Sequence, residues 1–306
     1  MSAPVTAGSL VGLVALFDDV GALKRVQRAG TTESVATSLF FAAWRRAVAG
    51  EALADVARKA TVSALVASQL GAIDGRLLAR AGLDADERHA ILCAAFDAAA
   101  GGLDPRLRAE LRAAIQPDLA LASEGSLPPF ACALAEQPRA GATAPGTLRL
   151  VLEPAENHAE HCIAVGVYAM LVAPHFGSDG IDAFLFGIAH HLHNALLPDS
   201  GFAGELLLGP CLERVVDRFT EDALAELPRT LASRVRDVRA ELAPAAIVPA
   251  ARAFHAADVI DRVLQARHHA RAAAFDIRQA LGDRGLVHVG PVHRFHLEVL
   301  AEAGLP

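Results

Sequence analysis

The segment "ENHAEHCIAVGVYAMLVAP", residues 156–174, constrains the chain more than any other. Wound as a helix, Ile163, Val165, Val167, Tyr168, Leu171 and Val172 cover nearly its whole circumference with apolar surface. A helix of that kind has no face to give to water and is buried, which puts His161 at the mouth of a buried element. No apolar run approaches 18 residues without a charge or a turn signal, so a membrane span is not expected. Other segments, such as "LFFAAWRRAVAGEALADVARKATVSALVASQL" and "DPRLRAELRAAIQPDLALA", repeat apolar residues every three or four positions with charge opposite. Helix starts are marked by "TTES" at 31–34, "DADE" at 84–87 and "DPRL" at 104–107, each with an acid or hydroxyl in the first turn. β-Branched clusters are sparse. The expected fold class is all-α.

The 306 residues suffice for one large domain or two ordinary ones. The stretch "SEGSLPPFACALAEQPRAGATAPGT" is rich in Pro, Gly, Ser and Thr and reads as a connection, and "LRLVLEP" after it as a short strand or extended lead-in. The expected division is a helical region of unassigned role over 1–125, a linker over 126–150 and a second helical region over 151–306. A net charge of −7 and a pI near 6.0, with scattered acids, argue against a nucleic-acid partner. The apolar run Leu10–Phe17 lacks a basic leader and ends at Asp18-Asp19, so export is not expected. Cys93, Cys132, Cys162 and Cys211 form no CxxC pair, which fits a reducing cytoplasm and excludes a thiolate zinc cluster. Apolar helical faces beyond the needs of one core make a homodimer a reasonable expectation.

Twelve of the 13 histidines fall between 158 and 296, so any chemistry belongs to the second half. Three pieces carry it. One is the opening of the apolar helix at His161. Another is "FLFGIAHHLHN", 184–194, an apolar helix that ends in imidazoles. The third is "ARAFHAADVIDRVLQARHH", 251–269, where Asp258 interrupts an apolar face. A carboxylate there has to be paired, hydrogen-bonded or bound to a metal, because an isolated buried charge is very costly.

His161, then an adjacent pair opening with His190, then a distant Asp258: this order resembles the HD superfamily of metal-dependent phosphohydrolases. Within it, "ENHAEHCIAVGVYAMLVA" is similar to the opening "AEH" helix of the 5′-deoxynucleotidase branch, and "HAADVIDRVLQAR" to its closing "AD…LQA" helix. The resemblance spans about residues 150–275 and implies His161, His190, His191 and Asp258 as metal ligands. It departs from the family at two positions. The signature Asp is His191, and the branch's Glu three residues on is Asn194, which orients water but accepts no proton at neutral pH. Three imidazoles and one carboxylate suit one divalent ion of iron, manganese, cobalt or zinc. A neutral imidazole does not bridge two metals, so a single ion is expected. The implied activity is hydrolysis of a small phosphate ester, such as a nucleoside monophosphate.

Asn194, His193 and Glu205 are the remaining catalytic candidates. His193 either holds water or substrate or lies at the surface; Glu205 stands in for the missing acid or base, or is a capping acid of the loop 196–209. His158 and His255 each precede an implied ligand by three residues and either support the ligands or fill the core. Asp261 is expected to be a helix-face acid partnered by Arg262 or Arg267. His268, His269, His288, His293 and His296 are expected to be solvated or structural. Positive charge for an anionic substrate is sought in Arg252 or Arg262, whereas Arg45 and Arg46 read as a helix edge beside Trp44. Two other classes stay open: a mononuclear non-haem iron enzyme, and a non-catalytic binding module with a relict metal site.

Overall fold

The computed structural model describes residues 9–273, 277–281, 286–287 and 289–306. It is 67% helical with no strand among the described residues, so the chain is all-α. The first half holds α1 (Leu10–Ala22), α2 (Val35–Val48), α3 (Leu53–Leu70), α4 (Gly75–Arg80), α5 (Ala85–Ala99) and α6 (Pro105–Ala113). Each marked start is a cap. Ser34 accepts from the Thr37 N–H, Asp84 and Glu87 form a capping box, and Asp104 accepts from the Arg106 and Leu107 N–H groups. These side chains satisfy first-turn N–H groups that have no partner within the helix.

Inside the stretch expected to be a plain connection lies α7 (Pro129–Glu136). Proline presets the first helical residue, and Phe130, Ala131 and Leu134 are buried. Phe130 stands edge-on to Trp44, 4.9 Å between ring centres. Burial against α2 makes a helix of residues whose flanks look like loop. "LRLVLEP" forms no strand; Ala142 and Leu150 exchange one pair of backbone hydrogen bonds, 3.0 and 2.9 Å, as an isolated bridge.

The second half holds α8 (His158–Val172), α9 (Ile181–Ala189), α10 (Gly201–Leu208), α11 (Leu212–Leu224), α12 (Arg229–Leu242), α13 (Pro249–Ala273), α14 (Ile277–Leu281) and α15 (His293–Glu302). Every residue of α8 is buried, as its all-round apolar surface requires. α9 and α13 cover it from its own half of the sequence, and α1, α2, α3 and α7 from the other. The Tyr168 hydroxyl donates to the Phe17 carbonyl at 2.6 Å and ties α8 to α1. The apolar core is one cluster that runs from Leu10 to Leu305. Among the described residues, His158–Phe176 is long and apolar enough to cross a membrane, and 89% of that window is buried inside the fold.

One helix crossing positions the site. α8 and α9 meet at Gly166 and Gly187, where a Cβ on Gly187 would stand 2.6 Å from Gly166 Cα and 2.7 Å from Gly166 N. Only a residue without a side chain lets the two backbones touch. The crossing lies five residues after His161 on α8 and three before His190 on α9, so it sets how closely the two helices bring those rings together.

Candidate metal centre

The residues implied as ligands sit where helices begin, end or turn inward. Asn157 and Glu160 form a capping box that starts α8, leaving His158 and His161 in and just after its first turn. α9 is apolar up to Ala189; His190 caps its end and His191 opens a 3-10 turn over Leu192–Ala195. On α13, Asp258 and Asp261 are one turn apart.

One ring nitrogen from each of His161, His190 and His191 lies within 4.8 Å of those of the other two. Each ring's Nδ1 is already committed. His161 Nδ1 is 2.7 Å from Asp261 Oδ2, His190 Nδ1 is 2.7 Å from the Gly187 carbonyl, and His191 Nδ1 is 2.8 Å from Asn194 Oδ1. All three partners accept, so each Nδ1 carries a proton and Nε2 is the nitrogen left to meet a metal. Nε2 of His161 and Nε2 of His190 face each other across 3.1 Å, a contact that needs a proton or a cation between them. Bonds of about 2.0–2.1 Å to one ion place neighbouring ligand atoms roughly 2.9–3.4 Å apart. The 3.1 Å contact and the 3.3 Å from His161 Nε2 to Asp258 Oδ1 both fit that spacing.

The electrostatics keep the donors in ligand form. Burial, then the neighbouring His161, pushes His190 down to about 3. Burial also holds His191 well below its ordinary value, with His190 adding to it. Asp258 goes the other way. Burial works to raise its carboxyl, but the Arg262 guanidinium and then His161 outweigh that and hold it well below the carboxylate range. Its Oδ2 accepts from Arg262, leaving Oδ1 on the His161 side.

Asp261 is not the helix-face acid that the sequence suggested. Arg262 bonds Asp258 and Arg267 bonds Asp18; Asp261 is 1% exposed and holds Lys24 Nζ at 2.7 and 2.9 Å. Lys24 reaches in from just beyond α1 and also bonds Glu156. Burial tends to lower the ammonium's pKa, but Asp261 and Glu156 more than offset it. Burial likewise works against Asp261, yet Lys24 and His161 bring it down to about 2. Glu156, His161 and Asp261 also have ion-binding spacing, and there Lys24 is the cation.

Beside the histidines opens a cleft of about 270 Å³, bordered by His190, His191, Asp258, Arg262, Arg139, Asp199 and Glu205 among others. Arg139 Nη1 and Arg262 Nε are buried with no hydrogen-bond partner among the described residues. Glu205 stands at the rim, and partial desolvation followed by the charge of Asp199 raises its carboxyl pKa. Asp199 accepts from the Ala140 and Gly201 N–H groups at 2.8 and 2.9 Å, pinning the wall of the cleft.

Other candidates lie elsewhere. Asn194 is 4% exposed, with Oδ1 on His191 and Nδ2 donating to the Leu197 carbonyl, so it orients the imidazole and not a water. His193 lies 5.6 Å from His191 between ring centres but is not among the cleft residues. His158 is buried with both ring nitrogens unpartnered among the described residues, 3.7 Å from Asp199. His255 donates to the Leu242 carbonyl, and Arg252 stacks on Phe176 and Phe295. His269 and His296 are buried, His268 is exposed, His293 is half-buried, and His288 lies outside the described residues. Sequence reasoning missed Lys24 and Arg139. For Lys24 there was a signal: it is one of two lysines beside 26 arginines, at a place where a compact ammonium fits between two acids.

Comparison of the chain with protein-family models, with curated proteins and with solved structures gives no match.

Proposed function

We propose that the chain is a metal-dependent phosphohydrolase that holds one divalent ion of iron, manganese, cobalt or zinc and cleaves a small phosphate ester. His161, His190 and His191 supply the ligands, with Asp258 beside them. The observation that carries the reading is the set of three imidazoles whose Nδ1 atoms are held by Asp261, Gly187 and Asn194, with one nitrogen of each ring within 4.8 Å of the others. Acceptors on the far nitrogen are how proteins orient metal-binding histidines. When bound, the ion supplies Lewis acidity towards a phosphoryl oxygen and acidifies water.

The chain's own residues do the rest. Three neutral rings and one carboxylate leave a divalent site with net positive charge, which favours a phosphate dianion. Arg139 and Arg262 border the cleft and bring guanidinium charge to the phosphoryl oxygens. Glu205, whose raised pKa keeps a proton on its carboxyl to higher pH, delivers that proton to the departing alcohol oxygen as water replaces it on phosphorus.

The test is elemental analysis of anaerobically purified protein, then a phosphate-release screen with each of the four metals. The expected result is close to one ion per chain and phosphate release that His190→Ala abolishes. Protein free of stoichiometric metal, inactive on every ester with every metal, overturns the reading. Bound iron with oxygen uptake and no phosphate release would replace it with the mononuclear iron enzyme.

A further inference from the structure

We infer that α10 is a lid on the cleft, hinged at Gly201 and Gly209, which swings inward on a bound phosphate ester and carries Glu205 to it. That an ester closes it rests on the phosphohydrolase reading; the hinge rests on how the chain holds the helix.

α10 is fastened at its first turn. Asp199 Oδ1 accepts from the Gly201 N–H at 2.9 Å, Thr143 Oγ1 from the Ala203 N–H at 3.2 Å, and the Ser200 carbonyl from Arg149 at 3.3 Å. Gly201 has φ +66°, and a Cβ there would stand 2.5 Å from the Thr143 hydroxyl. Beyond that turn the helix lies at the surface. Gly201 is its one buried residue, Leu206 is 52% exposed and Leu207 90%. The far end runs into Gly209 at φ 51° and ψ −127°, a conformation open to glycine and costly for other residues. Nothing lies within 4 Å of where a Cβ on Gly209 would stand, so that end has room to turn.

One face of α10 looks onto the cleft. Phe202 and Glu205, three residues apart, both border it. Leu206 is four residues on from Phe202 and shares that face, yet it is half exposed and not among the cleft residues. The helix thus leans out at its C-terminal end. A pivot on the fastened turn brings Leu206 to the cleft mouth and takes its apolar surface from water, a gain in proportion to the area covered. The same pivot moves the Glu205 carboxyl from the rim towards the cleft that Arg139 and Arg262 border. Closure of this kind is a common way for enzymes to complete a site around a bound substrate.

The experiment is hydrogen–deuterium exchange of the intact, metal-loaded protein with and without saturating inorganic phosphate, whose binding is followed by calorimetry. An eight-residue helix is marginal by itself, so the open form exchanges fast. Phosphate is expected to slow exchange at the Glu205, Leu206, Leu207 and Leu208 amides about tenfold or more. Leu206→Ser, at an exposed position, should keep the parent melting temperature and still bind phosphate, but lose that protection. Protection undiminished in this variant overturns the inward swing. Phosphate that binds while those amides exchange at the unliganded rate overturns the lid and leaves the phosphohydrolase reading standing. Protection by phosphate with no ester hydrolysed by any metal supports the lid and overturns the phosphohydrolase reading. Absence of phosphate binding overturns both.

Discussion

Lys24 Nζ lies 2.7 and 2.9 Å from the two carboxylate oxygens of Asp261, 237 residues further along the chain. The same carboxylate accepts from His161 Nδ1 at 2.7 Å, so an ammonium at the end of α1 braces a ring at the start of α8 through an acid on α13. All three side chains are buried, and breaking one link leaves charge without a partner.

Lys24→Met should therefore destabilise the fold strongly. It strands Asp261 and Glu156 as buried carboxylates, and removal of one partner of a buried ion pair costs about 3–5 kcal/mol. Urea unfolding measures this directly, and a loss below about 1 kcal/mol would show that the pair is solvated after all.

Asp261→Asn keeps the shape but replaces a carboxylate acceptor with a neutral one. Support for a metal-binding histidine of this kind is worth roughly 10–100-fold in metal affinity. Competition with a chromophoric chelator should register a loss of that order. Unchanged affinity would mean that packing alone orients His161.

Gly187→Ala tests the helix crossing. The added carbon meets the Gly166 backbone at 2.6 Å, where nothing flexible can give way. Overpacking of this kind costs about 1–3 kcal/mol, and separation of α8 from α9 should also move His161 away from His190 and weaken metal binding. A variant with the parent melting temperature and metal affinity would contradict the crossing.

Acid should unfold the protein earlier than its carboxylates alone require. Burial comes first among the causes that bring His158 to about 2, His190 to about 3 and His193 to about 4, against 6.5 for the free side chain. Below pH 6.5 the unfolded chain binds protons that the folded chain refuses, so stability is full above that pH and falls as the pH drops. The slope is at most roughly 1.4 kcal/mol per pH unit for each ring. Urea midpoints at pH 7, about 5.5 and about 4.5 in the presence of chelator should decline across the whole window. A flat profile down to about pH 5 would show that these rings titrate normally in the fold.

Much of this was readable from local pattern. Ser34, Asp84 and Asp104 announce their helices because a cap is a contact between residues two or three apart. The burial of α8 follows from its own circumference. α7 was hidden because its helical state depends on Trp44 and α2, which its Pro-rich flanks do not reveal. Lys24 and Asp261 were hidden for the same reason on a larger scale: nothing near either residue encodes their meeting, which is decided by how α1 packs on α13. Arg139 lies in a stretch that reads as loop, and its value comes only from the cleft it faces.

The complete enclosure of α8 has a practical consequence. Residues 151–306 carry all the imidazoles of the centre, yet they are not a portable unit. Expressed alone they would bare the flank of α8 that α1, α2 and α3 cover, an oily strip of the sort that drives chains to aggregate. Transplanting the histidines into another scaffold would mean carrying their N-terminal companions along.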